Sequence, residues 1–177
     1  MVDTTIPYQI VVFMQEYCIT GGVYLREQRL SDYLNDKRET NIMLRNASVA
    51  RLEDPAKILG TTPTAFIPKA GVLMVFEPPQ PVQHTIPRFI KYPKAKYSVF
   101  FVMDGMEARG EIHMQQALDL HQVMAEPTLT FLPITQASVT IKANSKFMLN
   151  QETIVVNLLH IRFIGEIQPK SPTQPRQ

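Results

Sequence analysis

Side chains able to do chemistry are few in this chain, and they are scattered. The histidines are His84, His113, His121 and His160. No two of them stand at the HExxH or i, i+4 spacing that sets two imidazoles on one helix face around a metal. His113, on an expected strand, and His121, on the helix expected to follow it, are the pair that folding could bring together, but no third ligand accompanies them. Cys18 is the only cysteine. That excludes an intramolecular disulfide and a zinc site built on several thiolates, and it fits a half-buried strand residue in a reducing cytoplasm. There is no GxSxG elbow: Ser31-Asp32 falls in a helical turn, and Ser48 and Ser138 fall in strands. Neither a GxxxxGK[ST] loop nor a GxGxxG turn is present to cradle a phosphate. The chain therefore reads as non-enzymatic, with no cofactor and no metal.

The densest group of recognition-type side chains is the segment 78–96. It carries Arg88, Lys91, Lys94 and Lys96 and no acid, with Phe89, Ile90 and Tyr92 among the cations. Pro78, Pro79, Pro81, Pro87 and Pro93 make it stiff and extended. Residues 1–77 hold eight Lys/Arg against nine Asp/Glu, and residues 97–177 hold six against seven, so the net charge of +2 comes from this segment. Three roles fit it: a rigid spacer with Phe89 and Ile90 in a groove, a docking strip for an acidic protein, or a nucleic-acid contact. In the last, cations would meet phosphates and aromatics would stack on bases. The candidate contact residues are Arg88, Phe89, Lys91, Tyr92, Lys94 and Lys96.

Around this segment the chain repeats itself. At a shift of 89, Tyr8–Met14 lies over Tyr97–Met103, Gly21 over Gly110 and Val23 over Ile112. At a shift of 90, Leu30 and Leu34 meet Leu120 and Met124, and Ala47-Ser48-Val49 meets the identical Ala137-Ser138-Val139. At a shift of 81, Phe66 meets Phe147 and residues 72–75 meet 153–156, which implies nine extra residues in the first copy near Glu53-Asp54-Pro55. Each copy predicts strand, strand, short helix, strand and a hairpin. First strands are expected at 8–17 and 97–106, with Gly21-Gly22 and Gly110 breaking or bulging the chain before second strands at 23–26 and 112–115. Third strands are expected at 40–52 and 129–142. The last hairpins turn at Pro68-Lys69-Ala70-Gly71 and Asn150-Gln151-Glu152, and Pro133 marks an edge or a bulge.

The fold class expected is mainly β: a tandem duplication of a small five-stranded barrel-like or bent-sheet domain, each with one short helix. The expected domains are residues 1–77 and 97–167, joined by the linker 78–96 and followed by a flexible tail, 168–177. The N-terminal apolar stretch follows Asp3 with no basic residues before it, and reads as a first strand rather than a signal peptide. No run of eighteen apolar residues predicts a membrane span.

Gly22–Asn35 followed by Ile42–Val49, with its Arg29-Leu30-Ser31-Asp32-Tyr33-Leu34-Asn35 turn, resembles an uncharacterised bacterial domain family. The likeness covers most of the first copy; the second replaces the turn with Gln116–Met124. It brings no activity with it. The pattern is also similar to Sm-like and SH3-like small barrels, although an Sm order begins with a helix. The physical reading of the turn is structural: Leu30 and Leu34 plug one end of the domain, Asp32 favours the helix start and Arg29 stays at the surface.

The function expected is that of a non-enzymatic interaction or assembly protein, self-associating or held in a larger complex. The alternative is a small-barrel nucleic-acid binder using the basic aromatic linker. A third class is a small-molecule site between the lobes, near His113 and His121.

Overall fold

The computed structural model describes residues 7–25, 28–80, 93–142 and 144–167. The chain runs β1 (Tyr8–Phe13), β2 (Tyr17–Val23), α1 (Leu30–Asn35), β3 (Asn41–Arg51) and β4 (Asp54–Pro68). A 3-10 turn at Lys69–Gly71 then leads into β5 (Met74–Phe76). The second half follows the same order: β6 (Ala95–Met103), β7 (Met106–Met114), α2 (Leu120–Ala125), β8 (Phe131–Ile141), β9 (Asn144–Asn157), a 3-10 turn at Leu158–His160, and β10 (Ile161–Glu166). The fold is mainly β, and the ten strands of the described residues form one open antiparallel sheet ordered β10-β6-β7-β8-β9-β5-β1-β2-β3-β4.

The strands form where β-branched and aromatic residues concentrate. In β1, Ile10 and Val12 are buried. In β3 the buried phase is Ile42, Leu44, then Ala47 and Ala50, so it slips by one at Asn46. The slip is a bulge: Asn46 has φ +48°, and the β2–β3 register shifts between Thr20 and Gly22. β8 repeats it, with Gln136 at φ +49° and a shift between Arg109 and Glu111.

Gly21 and Gly110 lie opposite these bulges, inside β2 and β7, and do not turn the chain. A Cβ on Gly110 would stand 2.4 Å from Ile134 Cγ2 and 2.8 Å from Thr135 O, so the glycine lets the bulged strand press close. The first turns come earlier than glycine spacing predicts, at residues 14–16 and 104–105, and the second strands are correspondingly longer. β3 and β8 fall within the expected third strands.

The shift of 81 is overturned. Paired registers place Ile67 and Pro68 of β4 where Val156 and Asn157 of β9 stand, and Val75 of β5 where Ile164 of β10 stands. All three correspondences are shifts of 89, so the first half has no nine-residue insertion. β4 and β9 span 15 and 14 residues. Asn150-Gln151-Glu152 lies inside β9 rather than turning a hairpin, whereas Lys69–Gly71 does turn the chain. Pro133 sits on β8 past Thr135, the last residue there paired with β7, where only β9 is a partner and its missing N–H costs no ladder bond.

Helix α1 plugs the first half through buried Leu30 and Leu34, and Arg29 is exposed at its start. Asp32 lies in the first turn, but no side chain caps that helix; in α2, Asp119 accepts a bond from Gln122 N.

Two hydrophobic clusters form the core, and each crosses the halves. One centres on the second half and takes in Phe13, Leu73, Met74 and Phe76. The other centres on the first half and takes in Phe131 and Val155. Each half is small enough that its own core would be marginal, so sharing apolar residues closes both.

Candidate interaction surface

Of the linker candidates, Arg88, Phe89, Lys91 and Tyr92 lie outside the described residues, as does the tail 168–177. Lys94 is exposed just before β6. Lys96 belongs to β6, opposite His113, with its ammonium 3.2 Å from Glu111 Oε2. Its charge is therefore already turned toward a carboxylate of its own sheet.

The histidine pair gains no ligand set. His113 Nε2 lies 2.7 Å from Thr135 Oγ1 and 4.0 Å from Glu111 Oε2, while His121 is exposed on α2. Among the described residues no three His, Cys, Asp or Glu side chains cluster as a metal site. Cys18 is buried and free, and burial raises its pKa, which keeps the thiol protonated and unreactive. No helix of the described residues is long and apolar enough to cross a membrane.

What the fold does build is a seam and two matching edges. At the seam, β5 of the first half pairs with β9 of the second: Met74 with Val156, Val75 with Val155, Phe76 with Ile154. Asn157 N donates to Leu73 O at 2.9 Å. The Asn157 side chain is fully buried; its Nδ2 donates to Lys69 O and Val72 O, and its Oδ1 accepts from Leu159 N.

Asn35, at the end of the Arg29–Asn35 turn, makes a second clamp. Its Nδ2 donates to Ser31 O and Phe131 O, and its Oδ1 accepts from Thr130 N and Phe131 N. Both asparagines use every polar atom they have, which is how a buried amide avoids a desolvation penalty. Lys37 Nζ also donates to Pro127 O across the halves.

Lys69, buried beneath the seam turn, donates to Tyr33 O at 3.0 Å and Asp36 O at 2.9 Å, at the carboxyl end of α1. Its ammonium lies over the Tyr33 ring. Burial lowers the Lys69 pKa, opposed by Asp36 and Glu39. Asp36, hydrogen-bonded by Arg38, is pulled down to about 2.

The sheet ends at β4 on one side and β10 on the other, and among the described residues each of these has one strand neighbour. The exposed large apolar side chains gather there: Ile58, Leu59 and Phe66 on β4, Phe163 on β10, and Leu159 and Ile167 flanking β10. Met124 and Met148 lie elsewhere. An open edge with apolar side chains is a template for another strand.

Sequence reasoning missed Phe66 and Phe163. The shift of 81 laid Phe66 over Phe147; carrying the shift of 89 through without a gap lays it over Val155, and that ungapped match was the signal available. Comparison with protein-family models, with curated proteins and with solved structures gives no match.

Proposed function

We propose that this chain is a non-enzymatic assembly protein. In this reading it arose by duplication of a small, bent five-stranded unit, and it builds larger structures by self-association through its open sheet edges. The duplication is supported by the shared element order, by bulges at Asn46 and Gln136, and by strand registers that correspond at shifts of 89 or 90. The observation that carries the assembly reading is the placement of the exposed apolar side chains on and beside the two strands that end the sheet, β4 and β10. Soluble proteins usually blunt such edges with charge or cover them.

Light scattering of the purified chain over a hundredfold concentration range, at low and high salt, tests this. Apolar edge pairing predicts a mass that grows with concentration and survives high salt. A monomer mass throughout would overturn the reading.

A further inference from the structure

The seam is a worked example of how one half of this molecule receives the other. It joins the fifth strand of one half to the fourth strand of the next. The strands left over at the ends of the sheet are the fifth strand of the second half, β10, and the fourth strand of the first, β4. Among the described residues the molecule therefore carries one unused copy of each side of its own seam. We propose that a second copy of this chain docks head to tail, its β10 adding to β4 in the register of the seam. This inference rests on the assembly reading and names its contact.

The register follows from residues already placed. Carrying the seam pairs over by 89 puts Phe163 opposite Ile67, Ile164 opposite Phe66, and Gly165 opposite Ala65. The window suits those rungs. Pro63 and Pro68 bracket residues 64–67 of β4, so proline, which cannot donate to a ladder, stands only outside the segment that has to pair.

The side chains fit the same scheme. In the seam, Val155 is 3% exposed and belongs to the core of the other half; its counterpart Phe66 is 67% exposed. On the other strand, Met74 is fully buried at the seam, and its counterpart Phe163 is 55% exposed. At both edges, the position that the seam buries holds a phenylalanine turned to solvent. A contact of this kind is heterologous: the two faces differ, so copies add to a closed ring or an open fibre and not to a symmetric pair.

The chain-to-chain contact lacks the polar clamps of the seam. Pro68 stands where Asn157 stands and has no N–H to give, and Ala125 stands where Asn35 stands. The docking is accordingly apolar and reversible, whereas the seam is permanent.

The test uses the full chain with either edge blocked. Phe66→Lys closes β4 and Phe163→Lys closes β10; both positions are exposed, so neither change disturbs the core. Each variant alone should associate about a hundredfold more weakly than the parent, because a charge replaces a phenylalanine at the centre of a small interface. Mixed, they should form a one-to-one dimer by sedimentation velocity, since each retains the edge that the other has lost. Thr64→Cys with Glu166→Cys, one rung beyond Gly165 and Ala65, should cross-link neighbouring chains on oxidation; Thr64→Cys with Ile164→Cys, displaced by two, should not.

If the parent assembles but the mixture stays monomeric, or one variant dimerises with itself, or only the displaced pair cross-links, this contact is wrong while self-association stands. A parent that remains monomeric throughout removes both.

Discussion

At the seam, β9 offers Val155 and Asn157 to β5, and both are buried, the first in apolar packing and the second in four hydrogen bonds. At the free edge, β4 offers Phe66 and Pro68 at the same two positions, and both face solvent. The backbone register of the two strands is the same, so the difference lies in side chains alone. A buried asparagine that satisfies two carbonyls commits the strand to one fixed partner. A proline and a large exposed aromatic leave a strand that can gain from a partner without needing one. One strand type thus serves as an internal joint and as a surface, according to two residues.

The strongest way to break this comparison is to place the same charge at both positions. Val155→Asp buries a carboxylate with no partner inside the shared core and should cost about 4 kcal/mol of stability, read as a lowered urea midpoint. Phe66→Asp at the corresponding exposed position should leave the stability within about 0.5 kcal/mol of the parent. Equal losses would mean that the two positions are not distinguished by burial.

Next in size come the amide clamps. Asn157→Ala leaves Lys69 O and Val72 O without their side-chain donor and should cost about 2–3 kcal/mol. Asn35→Ala strips Thr130 N and Phe131 N of their acceptor and should cost about 2 kcal/mol. Hydrogen exchange at those two amides should rise more than exchange in β7, which Asn35 does not touch.

A gain of function sharpens the contrast from the other side. Pro68→Asn restores a backbone donor and an amide at the free edge, making it more like the seam. Self-association should tighten by about fivefold, the worth of one net hydrogen bond. No change would show that the apolar positions alone set the affinity.

The smallest effect is in the pH profile. Burial depresses the Lys69 pKa, so the unfolded chain holds that proton more tightly than the folded one. Stability from this group is therefore lowest where Lys69 is charged in both states, and it rises with pH from the depressed folded value toward the ordinary 10.5. Tyr33, raised by burial, works in the opposite sense at higher pH. The stability of the parent relative to Lys69→Met, followed by urea titration from neutral to alkaline pH, isolates the lysine and should increase as pH rises.

The local pattern carried much of the fold. Val, Ile, Phe and Tyr crowd Tyr8–Phe13 and Tyr97–Met103, and these residue types specify strands because they fit a pleated, half-buried surface. Leu30 and Leu34 specify a short helix by their spacing. The pattern failed where tertiary contact decides. Glycines at 21 and 110 look like turns in a string of letters, but they are required by a bulged neighbour many residues away. The offset of the last strands was misread because β4 is exposed over most of its length, and an exposed strand has little apolar phase to align. Asn35 was legible only as a helix stop; three of its four side-chain bonds reach Thr130 and Phe131, which no sequence spacing announces. Of the contact residues that charge made conspicuous in the linker, Lys94 and Lys96 fall within the described residues, and Lys96 is engaged by Glu111.

By itself the sequence determined the strand and helix phases, the lone thiol and the concentration of charge between the halves, because these depend on residue type and short spacing. Only the tertiary structure decided that the two halves share one sheet, that Val155 is core while Phe66 is surface, and that β4 and β10 are left as ends. Those outcomes depend on which strand lies beside which, and pairing between distant strands is fixed by the total burial and hydrogen bonding of the assembled sheet rather than by any segment's own preference.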